Sequence, residues 1–315
     1  MKKKLLALIL AVSAALSLCT GCSVPSSGGN TEKGLTFTDD LDRTVTVEAE
    51  PERVAVLIGS FADVWCLAGG RESLVAAADD TWTQFDLGLD ASVAHLGGVK
   101  ATNVEALLAA EPDLVIGSAR TSGNVELEEM LTELGVPVLY FDVSSFSDYL
   151  RMLEICTQIT GQTENYKTYG TDIQAQVDRA IARADGSKPS VLYVRATGKS
   201  CKVKNSEGTV LGEMLSDLGC VNIADSETGL LENLSMETIL AADPDYIFTV
   251  LQGSDSEKAQ DTLEKALLSN PAWESLTAVR EGRFHILDQK LYNLKPNAKW
   301  GDAYEQLADI IYPAQ

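Results

Sequence analysis

The sequence predicts an α/β protein of two similar lobes, each with a mainly parallel central sheet, joined by a long α-helix and facing each other across a ligand cleft. Three observations predict it. Asn103 to Ser118 reads NVEALLAAEPDLVIGS, and 132 positions later Ser235 to Val250 reads SMETILAADPDYIFTV, with Glu, Leu, Ala, Ala, Pro and Asp in the same six places. A likeness of this length at a fixed offset is the mark of a duplicated supersecondary unit. Strand and helix signals alternate through both halves, which implies parallel sheets covered by helices. Between the halves, Tyr149, Leu153, Cys156 and Ile159, then Ile173, Val177 and Ile181, keep helical spacing with no strand signal.

In chain order, Phe37 to Val47 alternates as a strand or hairpin, and Pro51 opens a core strand at Arg53 to Ile58. A helix at Ala62 to Ala68 stops at Gly69-Gly70, and a strand at Leu74 to Ala78 follows. In the first copy of the repeat, Asn103 caps a helix carrying Val104, Leu107 and Leu108 on one side; Pro112 ends it, and Leu114, Val115 and Ile116 start a strand buried on both faces. A helix at Val125 to Leu134 and a strand at Val136 to Phe141 complete the first lobe, residues 36–145. Residues 146–187 form the connection, read as two helices, one of them a long rod. The second lobe, 188–315, repeats the order: strand Ser190 to Val194, helix Val210 to Leu218, strand Val221 to Ala224, the second copy of the repeat, helix Ala259 to Leu268, strand Arg283 to Leu287 and a last helix from Asp302 to Ile311.

The N-terminus stands apart from the fold. Lys2, Lys3 and Lys4 precede an apolar run from Leu5 to Leu18, the length of a signal-peptide core and short for a spanning helix. It ends in Leu18-Cys19-Thr20-Gly21-Cys22, which resembles the lipobox of bacterial lipoproteins, with Cys19 where that pattern usually has Leu. The resemblance implies a signal peptide over 1–21, lipidation at Cys22 and a flexible tether over 22–35; an ordinary secretory signal that contains cysteine is the alternative. A net charge of -21 argues against nucleic acid, whose phosphates it repels, and leaves room for a locally basic cleft. Cys66 and Cys156 sit in apolar helical runs, whereas Cys201 and Cys220 are left open as a pair.

The chain resembles the substrate-binding lipoproteins of ABC importers for ferric siderophores, haem and vitamin B12. The residues that carry the resemblance are Asp39-Asp40-Leu41-Asp42-Arg43 before Pro51-Glu52-Arg53-Val54, the paired Glu-x-Leu/Ile-Leu-Ala-x-x-Pro-Asp segments and the helical link. It implies an extracytoplasmic, lipid-anchored receptor that meets the membrane only through its anchor, with a permease and its ATPase as partners and no cofactor of its own. It also implies that Glu105 and Glu237 dock onto permease arginines; complementing the helix dipole is the competing reading.

In open parallel sheets the ligand crevice lies beyond the carboxyl ends of the strands. That nominates Ser60 and Phe61, Asp79 to Trp82, Ser118 to Ser122, Arg195 to Lys204, Gln252 and Asp288 to Trp300 as cleft walls. Within them Trp82, Arg120, Arg195, Lys202 and Tyr292 are the expected ligand-binding residues: the cations suit an anionic iron chelate, the aromatics a catecholate or tetrapyrrole ring. Lys199 and Lys204 are read as surface lysines and Trp300 as core. Tyr292 is the candidate haem ligand, because His95 and His285 fall in or beside strands and read as structural. Tryptophans that corrinoid-binding relatives carry are absent at Val99, Ser118 and Leu231, which disfavours cobalamin. A ferric siderophore is therefore the expected ligand, haem or a corrinoid the alternative. A secreted hydrolase is the competing class, but no Gly-x-Ser-x-Gly, His-Glu-x-x-His or phosphate-loop motif is present.

Overall fold

The computed structural model of the protein describes residues 34–313; the signal peptide, Cys22 and nearly all of the expected tether lie outside them. The chain begins with an antiparallel hairpin, β1 (Gly34–Thr38) and β2 (Thr44–Glu48). The acidic opening motif fastens it. The buried Asp39 carboxylate accepts from the backbone N–H groups of Leu41, Arg43 and Tyr140 and pairs with the Arg43 guanidinium at 2.5 Å, while Asp40 accepts from Asp142 N–H and pairs with Arg151.

The first lobe then adds β3 (Val54–Val56), β4 (Leu74–Ala77), β5 (Ala94–His95), the small hairpin β6 (Gly97–Gly98) and β7 (Ala101–Thr102), β8 (Leu114–Ser118) and β9 (Val138–Phe141). Its sheet runs β5-β4-β3-β8-β9 and is parallel throughout. The second lobe contains β10 (Ser190–Thr197), β11 (Cys201–Lys204), β12 (Val221–Asn222), β13 (Tyr246–Gln252) and β14 (Phe284–Leu287), ordered β11-β10-β13-β14 with β12 against the start of β10.

The repeated Pro-Asp has a job in both lobes. Asp113 accepts from the N–H groups of Glu52 and Arg53, at the entry to β3; Asp245 accepts from the N–H and hydroxyl of Ser190, at the entry to β10. Each aspartate thus pins the repeat's own strand to the first strand of its lobe.

Three apolar layers result. Alternate residues of the first sheet (Ala55, Leu57, Val115, Tyr140) face an outer core with Leu107, and alternate residues of the second (Leu192, Val194, Ile247) face another with Ile239 and Trp273. The opposite faces meet in one continuous middle core: Val56, Ile116 and Phe141 from one lobe, Tyr193, Phe248 and Val250 from the other, with the connecting helices and the last helix between them. The connection is a helix at Phe146–Ile159, opened by a Ser145/Asp148 capping box, then a run of right-handed turns from Glu164 through a wider turn at Lys167–Thr171 to Ile181. The last helix, Trp300–Ile311, packs along Asp172–Ile181.

Three expectations change. The helix expected over 125–134 is two short pieces, Ser122–Val125 and Glu128–Glu133. The strand expected over 221–224 stops at Asn222, whose side chain accepts from Ala224 N–H and turns the chain into a short helix. Residues 195–204, expected as a loop, form the β10–β11 hairpin; Cys201-Lys202-Val203-Lys204 carries the period-2 alternation that signals it. The open question on cysteines closes as well: Cys66, Cys156, Cys201 and Cys220 are all free thiols.

Candidate functional site

The carboxyl ends of the two sheets meet at a cleft, and a buried asparagine rivets its floor. Asn297 holds a left-handed backbone (φ 53°), and its amide donates at 2.8 Å to Ser60 O and at 2.8 Å to the Asp63 carboxylate, both in the first lobe. Burial raises the pKa of Asp63, and the hydrogen bond from Asn297 opposes that shift.

Above this floor the cations gather. Arg120 follows β8; its Nε donates at 2.7 Å to both oxygens of Asp142, beyond β9, which leaves its two terminal nitrogens without a protein acceptor among the described residues. The guanidinium reaches across to Gly208 of the second lobe, where a Cβ built on that residue falls 2.9 Å from Nη1. The backbone there is left-handed (φ 68°), which favours glycine. The Arg120 side chain is still 57% exposed.

Arg195 extends from β10 on the same face as Tyr193, whose hydroxyl accepts from Nη2 at 3.0 Å and Nε at 3.3 Å. In the antiparallel register Arg195 lies opposite Lys202 and Tyr193 opposite Lys204, so the hairpin turns one basic face toward the cleft and its other face, with Val194 and Val203, into the outer core. Lys202 is exposed. Lys204 departs from expectation: it is half-buried, and burial, then Arg195 and Lys202, pull its pKa down. Lys199 is exposed at the hairpin turn, as expected of a surface lysine.

Lys295 completes the cluster, from a loop the sequence nominated as a wall without singling out this residue. Its pKa is pulled down to about 8, first by burial; Asp142 pushes it up, Arg195 and Arg120 push it down, and Asp148 again raises it. The side chain is half-buried, and among the described residues no acceptor or carboxylate holds its ammonium. On its other side lies a cavity of about 390 Å³, walled by Asp63, Gln84 and Phe85 of the first lobe and Lys290, Lys295 and Lys299 of the second. That volume suits a small-molecule site.

The aromatic expectations divide. Trp82 is half-buried and stacks on His95, ring centroids 3.8 Å apart at 20°, while His95 Nδ1 lies 2.9 Å from the Asp79 carboxylate. His95 is therefore not a packed structural histidine; its side chain is 62% exposed at the carboxyl edge of the sheet. Tyr292 is a correction. It is 2% exposed in the middle core and its hydroxyl donates to Ala303 O, so it is no haem ligand and faces no cleft. Trp300 is fully buried among Phe146, Tyr149 and Tyr304, as expected.

Glu105 and Glu237 occupy one position twice. Each is exposed, second in a helix whose cap is a side chain, Asn103 accepting from Ala106 N–H and Ser235 from Thr238 N–H, and each helix leads into the strand beside its lobe's first strand.

Comparison with known proteins places this geometry. Residues 54–291 match the family model described as periplasmic binding protein. A cobalamin-binding protein of Halobacterium salinarum is 24% identical over 286 residues, 86% of this chain and 74% of that protein. The Fe(3+)-citrate-binding protein of Bacillus subtilis is 25% identical over 299 residues, 91% of this chain and 90% of that one. Among solved structures, Staphylococcus aureus SirA complexed with staphyloferrin B superposes with a TM-score of 0.67 at 21% identity, covering 88% of this chain and 97% of the other.

Proposed function

The chain belongs to the periplasmic binding protein family, and on that premise we propose that it captures a ferric complex bearing anionic oxygens outside the cytoplasm and hands it to an ABC permease. Its family captures ligands for import and does not transform them, so the secreted-hydrolase reading falls. The observation that carries the ligand class is the convergence of Arg120, Arg195 and Lys295, with Lys202 and Lys204 behind, where among the described residues only Arg120 has a carboxylate partner. Unpaired cations in a half-buried site cost solvation that an arriving carboxylate or catecholate restores, and charge-assisted hydrogen bonds of that kind are the strong ones. A ferric siderophore or ferric carboxylate fits this chemistry. The likeness to the Fe(3+)-citrate-binding protein over 91% of the chain is compatible with it, as the likeness to the cobalamin-binding protein over 86% is compatible with a corrinoid.

Haem is the second reading, and one observation favours it. Asp79 holds His95 at Nδ1 and Trp82 flanks its ring, which leaves Nε2 free in the tautomer that suits an iron ligand. No comparable feature favours a corrinoid. Delivery rests on Glu105 and Glu237 as twin docking carboxylates, and on Cys22 as the lipid anchor outside the cytoplasmic membrane.

The test is a thermal-shift screen of the purified full-length chain against ferric citrate, ferric hydroxamates, ferric catecholates, haem and cobalamin. A ligand at 100 times its Kd stabilises by about 2.7 kcal/mol, enough to separate the true class from the rest. Stabilisation by cobalamin alone, or by haem in a manner lost with His95→Ala, rejects the anionic-chelate reading.

A further inference from the structure

Arg120 is gripped at one end only. Its Nε donates at 2.7 Å to each oxygen of Asp142, and neither terminal nitrogen has an acceptor among the described residues. Arg195 differs, because the Tyr193 hydroxyl accepts from both its Nε and its Nη2. Of these two arginines, Arg120 is therefore the one that keeps its Nη1/Nη2 pair whole, the end of a guanidinium that meets a planar carboxylate with two parallel hydrogen bonds. A side chain 57% exposed otherwise spreads over many rotamers, so the carboxylate on Nε is what aims the free end. Asp142 is fixed in turn by the opening hairpin. Its backbone N–H donates at 2.6 Å to the Asp40 carboxylate, Asp40 pairs with Arg151 of the connecting helix, and Asp40 N–H donates to Tyr140 O. Ala119 N–H donates to Phe141 O, which ties the loop carrying Arg120 to the same strand end. The acidic opening motif thus reaches the cleft through Asp142.

We propose that Asp142 is a positioning residue for ligand capture: it holds Arg120 by Nε so that Nη1 and Nη2 stand as a preformed fork for one carboxylate of the arriving chelate, and Asp40 of the opening hairpin sets Asp142 in place. The inference rests on the reading of the cleft as an anion site and narrows it to a chelate that carries a carboxylate. Neither aspartate touches the ligand. Their contribution is preorganisation, because an arginine aimed before the ligand arrives loses less freedom when it binds. Two roles for Asp142 differ in sign. As a bystander, a carboxylate beside an anion site repels the anion, and its removal tightens binding. As the residue that aims Arg120, its removal loosens binding.

The experiment is calorimetric titration of the full-length chain with ferric citrate at a fixed ionic strength, in a cycle of Asp142→Ala, Arg120→Ala and the double variant. Thermal melting of each variant shows that it is folded; should Asp142→Ala not fold, Asp142→Leu, which fills the same volume without an acceptor, takes its place in the cycle. With Arg120 present, Asp142→Ala is expected to weaken binding about three- to tenfold, the worth of ordering one long side chain. In the Arg120→Ala background nothing is left to aim, and the same change is expected to tighten binding or leave it unchanged. Asp40→Ala should cause a smaller loss of its own and none in Asp142→Ala. Tighter binding by Asp142→Ala, or an equal loss with and without Arg120, overturns the positioning role and leaves the cationic cleft standing. An Asp40→Ala loss that persists in Asp142→Ala overturns the hairpin's share in it. Failure of ferric citrate to bind the unaltered chain removes the anion reading and the fork with it.

Discussion

The two lobes share an ancestor's plan and differ where the ligand end of the first strand is concerned. In the first lobe β3 is three apolar residues, Val54 to Val56, flanked by parallel strands on both sides. In the second, β10 is eight residues long, and the strand that corresponds to β4 has shrunk to Val221–Asn222. The vacated edge is filled by β11, folded back on β10 itself. A parallel neighbour arriving from a crossover is thus exchanged for an antiparallel hairpin, which presents Arg195, Lys202 and Lys204 side by side on one face. The repeat preserves what holds a lobe together, and the departure from it builds the basic wall. Chemistry here is a local edit of a duplicated frame.

The comparison can be broken at either end. The largest effect is expected at the feature the lobes share most closely. Glu105→Lys with Glu237→Lys abolishes import of a labelled ferric complex while calorimetric affinity stays unchanged, and each single change removes a similar share; wild-type import in the double variant ends the docking proposal. At the feature they share least, Arg195→Ala is expected to weaken binding of an anionic chelate by about 10–100-fold, the worth of a lost charged hydrogen bond in a half-buried site. Arg120→Ala, whose guanidinium is 57% exposed and already paired, should cost less than Arg195→Ala; the reverse order in fluorescence titrations moves the decisive wall to the first lobe.

Smaller effects probe the frame. Asn297→Ala removes the donor shared by Ser60 O and Asp63 and puts alanine, which tolerates a left-handed backbone less well than asparagine, at φ 53°, so denaturant unfolding should show a loss of about 1–3 kcal/mol. Asp113→Asn and Asp245→Asn should each cost about 1 kcal/mol, because each leaves a strand entry with poorer acceptors. Strongly unequal losses mean that the two Pro-Asp devices are not equivalent. The mildest is electrostatic. The folded-state pKa of Lys295 lies below its unfolded value of 10.5, so between about pH 8 and 10.5 the unfolded chain holds more protons and the stability of the unliganded protein rises with pH; Lys295→Met should flatten that rise.

Most of the frame was legible because it is local. Helix caps at Asn103 and Ser235, the Pro-Asp stops and the doubly apolar strands are written within a few residues of where they act. The site was legible in part. Arg120, Arg195 and Lys202 follow from their places after strands or in a nominated wall. Lys295 does not, because nothing adjacent to it in sequence sets its environment; Asp142, Asp148, Arg120 and Arg195 arrive from four other segments. Tyr292 was misplaced for a related reason, since its short helix Gln289–Tyr292 turns the ring inward onto the last helix, a direction that loop composition does not encode. His95 was misread because a strand residue is normally packed, while β5 is a two-residue edge strand that leaves its outer side open.

The middle core has a mechanical consequence. Val56, Ile116, Tyr193 and Phe248 belong to a single apolar layer that runs through both lobes, so swinging the halves wide apart means wetting that layer, at about 25 cal/mol for every Å² exposed. Melting should accordingly be one transition. Side chains at the rim, Arg120 beside Gly208 among them, can move without exposing that layer.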